Sequence, residues 1–398
     1  MSEAAVGTTV VCSTCGSISA ADARFCEECG SDLPGAPDGA APAAGAAGEP
    51  VAERAEEPVP EPSGTAAEPS GSVVGPSGTP AGPSGTAAGP APCRECGGVV
   101  AADGYCTTCG AKAPRARDHV VEQPQSWVAA VSDRGVRHHR NEDAAAVAAD
   151  TEPGSRAVLV VCDGVSSSED SDVASLAAAR AAREVLVGSR SKGLGSQSAL
   201  SGVFRTRLEI ATDAASDAVA RMTSPDHGTS PPSCTFVAAV VENGRVVVGV
   251  VGDSRAYWLP DTGEQQMLTV DDSWSAAQIA AGVPREQAEA GPQAHAITRW
   301  LGVDAPDHTP RVTTLLVDRP GWLMLCSDGL WNYCSPADEL GALVQRTAAV
   351  AAGEPLALAS RLVDWANAQG GHDNITVALA RLGDPAPNPL AAEKNGES

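Results

Sequence analysis

FVAAVVENGRVVVGVVGDSR, residues 236–255, carries the reading of the fold. Two apolar runs, Phe236 to Val241 and Val246 to Val251, flank Asn243-Gly244. That dipeptide accepts the positive φ angles of a tight hairpin turn, so the runs predict two antiparallel strands. The second run stops at Gly252-Asp253-Ser254-Arg255. Upstream, Ala157 to Cys162 is a similar run and stops at Asp163-Gly164, while downstream Trp322 to Cys326 stops at Ser327-Asp328-Gly329. In the opposite sense, Asn141-Glu142-Asp143 precedes the run Ala144 to Ala149, and Asp373-Asn374 precedes Ile375 to Ala380. Alanine-rich amphipathic stretches at about 172–187, 199–222, 336–350 and 355–369 predict helices. Hairpin strands with helices inserted between groups indicate an α+β domain whose helices cover stacked sheets.

Asp and Gly end many strands for reasons of turn chemistry alone, so one or two such junctions carry no meaning. Five acidic positions at strand boundaries are different, because they would converge at one edge of the sheets and repel one another. Divalent cations resolve that repulsion, and an oxygen-only donor set selects magnesium or manganese over zinc.

Eight of the twelve cysteines form CxxC pairs: Cys12 and Cys15 with Cys26 and Cys29, then Cys93 and Cys96 with Cys106 and Cys109. Each pair is followed by glycine (Gly16, Gly30, Gly97, Gly110), which lets backbone amides turn toward the thiolates at positive φ. Four thiolates at this spacing close a tetrahedral zinc site, and units this short need a metal to fold. The expectation is two structural Zn²⁺ knuckles, at 10–33 and 93–113. A pair of redox dithiols would want a thioredoxin-like βαβ context that is absent. Between the knuckles, residues 34–92 repeat Pro-Ser-Gly at Pro62, Pro69, Pro76 and Pro83. Such a segment buries too little apolar surface to order itself, so it is expected to be a disordered linker. Its Thr65, Thr79 and Thr86 are open to a kinase, with a plain spacer as the simpler alternative. The main folded domain is expected at 126–383, followed by a disordered tail at 384–398.

The formal charge is −23, and residues 12 to 33 hold one basic residue, Arg24, against four acidic ones. Neither a nucleic acid nor an anionic membrane is expected as a partner. No run approaches the ~20 apolar residues of a membrane span, and no signal peptide is legible, so a cytoplasmic protein is expected.

Eight segments in order resemble the type 2C serine/threonine protein phosphatases, the metal-dependent PPM family: RNED (140–143), VCDG (161–164), SCT (233–235), GDSRAY (252–257), LT (268–269), ITRWLG (297–302), CSDGL (326–330) and GHDNIT (371–376). The likeness spans about 127 to 382. It implies two stacked antiparallel β-sheets flanked by helices, an αββα sandwich, and hydrolysis of phosphoserine and phosphothreonine by a metal-activated hydroxide, opposing bacterial Ser/Thr kinases. By the same likeness Asp163 would bridge two Mn²⁺ or Mg²⁺ ions, with Asp328 and Asp373 completing one site. The Gly164 carbonyl and waters fixed by Glu142 and Asp143 would hold the other, and Asp253 would help hold a third. Two features depart from the pattern. His138 stands where the family has a phosphate-gripping arginine, leaving Arg137, His138 and Arg140 as candidates for that role. Val165 stands where many eukaryotic relatives carry a proton-donating histidine. Segment 271–296 resembles the flap of bacterial relatives and is expected to shape phosphoprotein choice, while the knuckles are expected to dock proteins. The competing reading is a degenerate phosphatase-like domain serving as a zinc-dependent phosphoprotein-binding scaffold.

Overall fold

The computed structural model describes residues 9–11, 18–20, 96–101, 104–110, 113, 115–188, 197–242, 244–290, 293 and 296–383. Cys12, Cys15, Cys26, Cys29 and Cys93, the 34–92 linker and the 384–398 tail lie outside them. The chain divides into two units, 34–113 and the remainder.

In the larger unit, β1 (Thr9–Val11) and β2 (Ile18–Ala20) pair as an antiparallel hairpin. There follow β3 (His119–Gln125), β4 (Val128–Asp133), β5 (Ala144–Ala149), β6 (Arg156–Cys162), α1 (Ser171–Gly188), α2 (Gln197–Ala220), β7 (Phe236–Glu242), β8 (Arg245–Val251), β9 (Arg255–Pro260) and β10 (Gln266–Met267). The chain continues through α3 (Trp274–Ala280), α4 (Arg285–Glu289), β11 (Arg311–Leu316), β12 (Gly321–Cys326), α5 (Asp328–Trp331), α6 (Ala337–Val350), α7 (Pro355–Gln369) and β13 (Ile375–Leu382). Six strands order as β10-β9-β12-β13-β4-β3 and five as β11-β8-β7-β6-β5. The pairings within both sheets are antiparallel.

Side-chain alternation builds the layers. Along β6, Leu159 and Val161 face the core between the sheets, with Val237, Val248, Trp258, Leu323 and Leu325. Val158, Val160 and Cys162 point the other way, against Ala174, Ala178, Ala179 and Ala182 of α1 and Phe204 and Leu208 of α2. Beyond the second sheet, Tyr257, Met324 and Leu379 pack on Leu343 and Val344 of α6 and on Leu358 and Leu362 of α7. The result is helix, sheet, sheet, helix, as the sequence implied. No described helix is long and apolar enough to cross a membrane. The sheets begin earlier than the expected boundary at 126, because β3 adds a strand beside β4.

Where the layers close over the site, space for side chains vanishes. A Cβ on Gly329, in α5, would collide with the Asn374 carbonyl oxygen, whereas one on Gly188, at the end of α1, would meet nothing within 4 Å. Gly329→Ala is therefore expected to destabilise the protein by about 2 kcal/mol or more in urea denaturation. Gly188→Ala should stay within about 0.5 kcal/mol of wild type.

Candidate metal centre

The strand register sends the acidic junctions to a common edge. Cys162 at the end of β6 lies opposite Ala144 at the start of β5, and Val251 at the end of β8 lies opposite Phe236 at the start of β7. In the other sheet Cys326, at the end of β12, pairs with Val377 near the start of β13 and with Arg255 at the start of β9. Asp163, Asp253, Asp328, Asp373 and the Glu142-Asp143 pair thus emerge at matching strand ends.

Each emerges on a tightly held backbone. The Asp163 amide donates to Thr235 Oγ1 at 3.0 Å, and the Thr235 amide donates back to the Asp163 carbonyl at 2.7 Å. Next to it Gly164 has no room for a Cβ, which would sit 2.7 Å from the Glu142 carbonyl oxygen and 2.9 Å from that of Ser171. Gly252, at φ +99°, lets the chain turn over Thr235 to present Asp253. The Asp253 carbonyl accepts the Trp331 indole N–H at 3.0 Å, and the Arg255 guanidinium lies 3.6 Å from the Trp331 ring centroid.

Hydrogen bonds then stitch one sheet's edge to the other's. Ser327 Oγ donates to Asp143 Oδ2 at 2.7 Å while accepting the Thr376 amide at 2.9 Å. Asn374 Oδ1 accepts the Glu142 amide at 2.7 Å, and its Nδ2 donates to the Arg134 and Arg140 carbonyls at 2.7 and 3.0 Å. Arg117 donates to the Asn141 and Asp143 carbonyls and to Ser175 Oγ, each at 3.1 Å. Ser327 and Asn374 adjoin acidic residues that the sequence singles out. Arg117 carries no such signal, because its partners lie 24 or more residues downstream.

The three basic candidates separate. Arg140 is committed to Glu142 Oε1, through Nε at 2.9 Å and Nη2 at 2.6 Å, with Ser171 Oγ 3.3 Å away. His138 lies between two carboxylates, Nε2 at 3.2 Å from Asp373 Oδ1 and Nδ1 at 3.8 Å from Glu142 Oε2. Arg137 is exposed, with its amide on the Gly371 carbonyl at 3.1 Å.

Burial and crowding raise the acids together. Asp163 is pushed well above the usual carboxylate range, first by burial and then by the charges of Asp143, Asp328, Asp373 and Asp253. Asp328 rises well above it too, by burial and then by Asp373 and Asp253. Burial lifts Asp143 to about 6, against bonds from Ser327 and Thr376. Asp253 reaches about 7 through burial and the nearby Asp271 charge, with Arg255 opposing. Asp143 Oδ1 and Asp328 Oδ1 are buried without a hydrogen-bond partner. The three cysteines beside the site do not join in: Cys162, Cys234 and Cys326 are fully buried, and burial drives the Cys162 and Cys326 thiols upward.

The flap-like segment 271–296 contains α3, capped by Ser273 Oγ accepting the Ala276 amide at 3.2 Å, and α4. Its root is anchored by charge. Asp271 takes Arg255 Nη2 at 2.6 Å, and Asp272 takes Arg299 at 3.1 Å and Arg311 at 2.7 Å.

In the smaller unit, the Sγ atoms of Cys96, Cys106 and Cys109 lie within 4.8 Å of one another. Gly97 and Gly110 adopt φ +72° and +74° as anticipated. The Thr108 amide points at Cys106 Sγ at 3.4 Å. Backbone amides of Cys109 and Thr108 pull the Cys106 thiol down to about 6.

Residues 134–366 match the family described as Protein phosphatase 2C. The serine/threonine phosphatase stp of Listeria monocytogenes is 30% identical over 251 residues, covering 62% of this chain and 92% of its own. The serine/threonine protein phosphatase PstP of Mycobacterium tuberculosis is 28% identical over 257 residues, 64% of this chain and 45% of its own. Among solved structures, that of the M. tuberculosis phosphatase PstP/Ppp superposes with a TM-score of 0.51 at 26% identity, over 66% of this chain and 99% of the other. The Mycobacterium smegmatis phosphatase MsPP, solved with cacodylate, also gives 0.51, at 28% identity over 64% and 98%. With more than half its length matched and its acidic strand ends gathered as described, this chain belongs to the protein phosphatase 2C family.

Proposed function

We propose that the chain hydrolyses phosphoserine and phosphothreonine in proteins with the help of Mn²⁺ or Mg²⁺. The observation that carries this is the pair of buried, unpartnered carboxylate oxygens, Asp143 Oδ1 and Asp328 Oδ1, within a cluster whose other members repel them. Such a set fits hard cations, which take oxygen ligands and remove the repulsion. Asp163, Asp328 and Asp373 would hold one ion; Asp163 and the Gly164 carbonyl would hold a second, with Glu142 and Asp143 fixing its waters; Asp253 would help hold a third. Bound there, divalent cations supply the Lewis acidity that activates water and offsets charge on the phosphoryl group.

The chain's own side chains do the rest. Arg137 is exposed at the rim, which suits it to grip the phosphate, and His138 sits beside it. Arg140 serves differently: its bonds to Glu142 Oε1 hold that carboxylate in place. With valine at 165, the departing alkoxide takes its proton from water. The buried thiols of Cys162, Cys234 and Cys326 are core residues. The intact acidic cluster disfavours the degenerate-scaffold reading.

The finer assignments belong here as well. Cys93, Cys96, Cys106 and Cys109 would close one zinc site, supported by the three gathered sulfurs and the lowered Cys106 thiol. The spacing of Cys12, Cys15, Cys26 and Cys29 supports a second. Knuckles at 10–33 and 93–113, joined by the 34–92 linker, would dock partner proteins beside a phosphatase domain ending near 383. The substrates would be phosphoproteins made by a Ser/Thr kinase, in the reducing cytoplasm where thiolates remain available to zinc.

Phosphate release from a phosphothreonine peptide should require Mn²⁺ and fall by about 10³-fold in Asp163→Ala; release indifferent to both chelator and mutation would sink the proposal. Raised carboxyl pKa values also set a pH dependence. A carboxyl that holds its proton more tightly when folded contributes stability below its unfolded value, about 4, and loses it as pH rises through its folded value. Scanning calorimetry of metal-stripped protein should therefore show Tm falling between pH 5 and pH 8 as Asp143 (about 6) and Asp253 (about 7) ionise, with Mn²⁺ restoring it at pH 8. Metal analysis is expected to find two zinc ions per wild-type chain and one in Cys106→Ser.

A further inference from the structure

Beside the metal centre lies a pocket of about 220 Å³ lined by Gly329, Asn332, Tyr333, His372 and Asp373. Pockets that enclose drug-sized ligands run from roughly 300 Å³ upward, so this one has room for a single side chain. Its walls are chain neighbours of the reaction centre. Tyr333 follows α5, which begins at Asp328, and His372 immediately precedes Asp373.

The walls are locked to one another. Tyr333 Oη accepts the His372 backbone N–H at 3.0 Å. The Trp365 ring from α7 meets the Tyr333 ring edge-on at 6.5 Å, and the His372 ring is tilted 59° to Tyr333 with centroids 6.3 Å apart. Gly370, at φ +140°, lets the His372 ring fold against the backbone, where a Cβ would lie 2.7 Å from Cδ2. This aromatic frame is adjacent in the chain to Asp328 and Asp373, which puts it within reach of residues flanking a phosphate held there.

The lining also has a chemical sense. Asn332 spends one Nδ2 hydrogen on Asp328 Oδ2 at 3.0 Å, and its carbonyl oxygen remains as an acceptor beside the second hydrogen. Asp373 is the other polar wall, and its side chain is 37% exposed. Neither lysine nor arginine lines the pocket. Two aromatic rings with acceptors alongside suit a flat cation that can stack and donate hydrogen bonds at once, which is the guanidinium rather than the ammonium.

We propose that this pocket is a specificity subsite that receives an arginine side chain flanking the phosphorylated residue of the substrate. The proposal rests on the phosphatase reading above and names the substrate feature that the site selects.

The test uses the full chain loaded with Mn²⁺ and phosphothreonine peptides that differ only in carrying Arg, Leu or Glu at the positions flanking the phosphoresidue. Hydrolysis of p-nitrophenyl phosphate, which has no flanking residue, reports the reaction centre separately. An arginine peptide should exceed its leucine counterpart about tenfold in kcat/KM, mainly through KM. In His372→Ala and Tyr333→Leu, normalised to p-nitrophenyl phosphate, that preference should shrink to less than about twofold. Equal kcat/KM for all three peptides, a preference for Leu or Glu, or an arginine preference that survives both substitutions would overturn the subsite. Loss of p-nitrophenyl phosphate hydrolysis by the wild-type chain would instead overturn the phosphatase reading.

Discussion

Asn374 joins the two halves of the site. Its side-chain oxygen holds the Glu142 amide, and its nitrogen holds the carbonyls of Arg134 and Arg140, so one residue at the head of β13 dictates the path of the whole 134–142 loop. Ser327 and Thr376 repeat the connection a few ångströms on, through Asp143. Without these links the acidic strand ends of each sheet would still exist, but the two sheets' acids would lose the bonds that join them across the site. An uncharged amide suits the task. It offers a donor and an acceptor without adding charge to a crowded anionic centre, and it is itself buried and fully used.

Much of this was legible in the residue order. The strong apolar runs became β6, β7, β8, β12 and β13 with ends displaced by a residue or two, and the four alanine-rich stretches became α1, α2, α6 and α7. Full burial on both faces makes such segments conspicuous. No run was assigned to β3, β4, β9, β10 or β11, and of these the edge strands β3 and β11 escaped for the opposite reason. β3 reads HVVEQPQ, with Pro124 at an irregularity of register and several exposed positions, and β11 has four exposed and two half-buried residues. At the site, the acidic residues announced themselves by position, and Thr235, Ser327 and Asn374, which help hold them, lie in the same quoted segments, whereas Arg117 and the partners of Arg255 gave no such sign. Arg117 reaches carbonyls of the acidic loop, and Arg255 pairs with Asp271 while stacking on Trp331. Side chains that bond to distant backbone leave no local pattern.

The basic residues show how the same loop divides its labour. Arg140 and His138 are drawn inward by Glu142 and Asp373, and Arg137 alone of the three stays exposed. An isolated charge run would have suggested three interchangeable cations. The geometry makes them unequal, since a guanidinium already spent on a carboxylate has fewer donors left for a phosphate. At the base of the flap-like segment, paired acids play the complementary part. Asp271 and Asp272 grip separate arginines, which ties that segment to the turn bearing Asp253.

The face of α1 that meets the five-stranded sheet is built from Ala174, Ala178, Ala179 and Ala182, set against Ala144, Ala146 and valines. Methyl groups there let backbone approach backbone closely, and little side-chain volume remains to be taken away. The usual map of mutational sensitivity is thereby inverted. In a leucine-rich core, truncation does the damage. On this face truncation has almost nothing to remove, and a single added methyl must push a helix off its sheet. Drift in such a protein is confined by crowding rather than by loss of grip, so its alanines, ordinarily the most replaceable of residues, become its least negotiable.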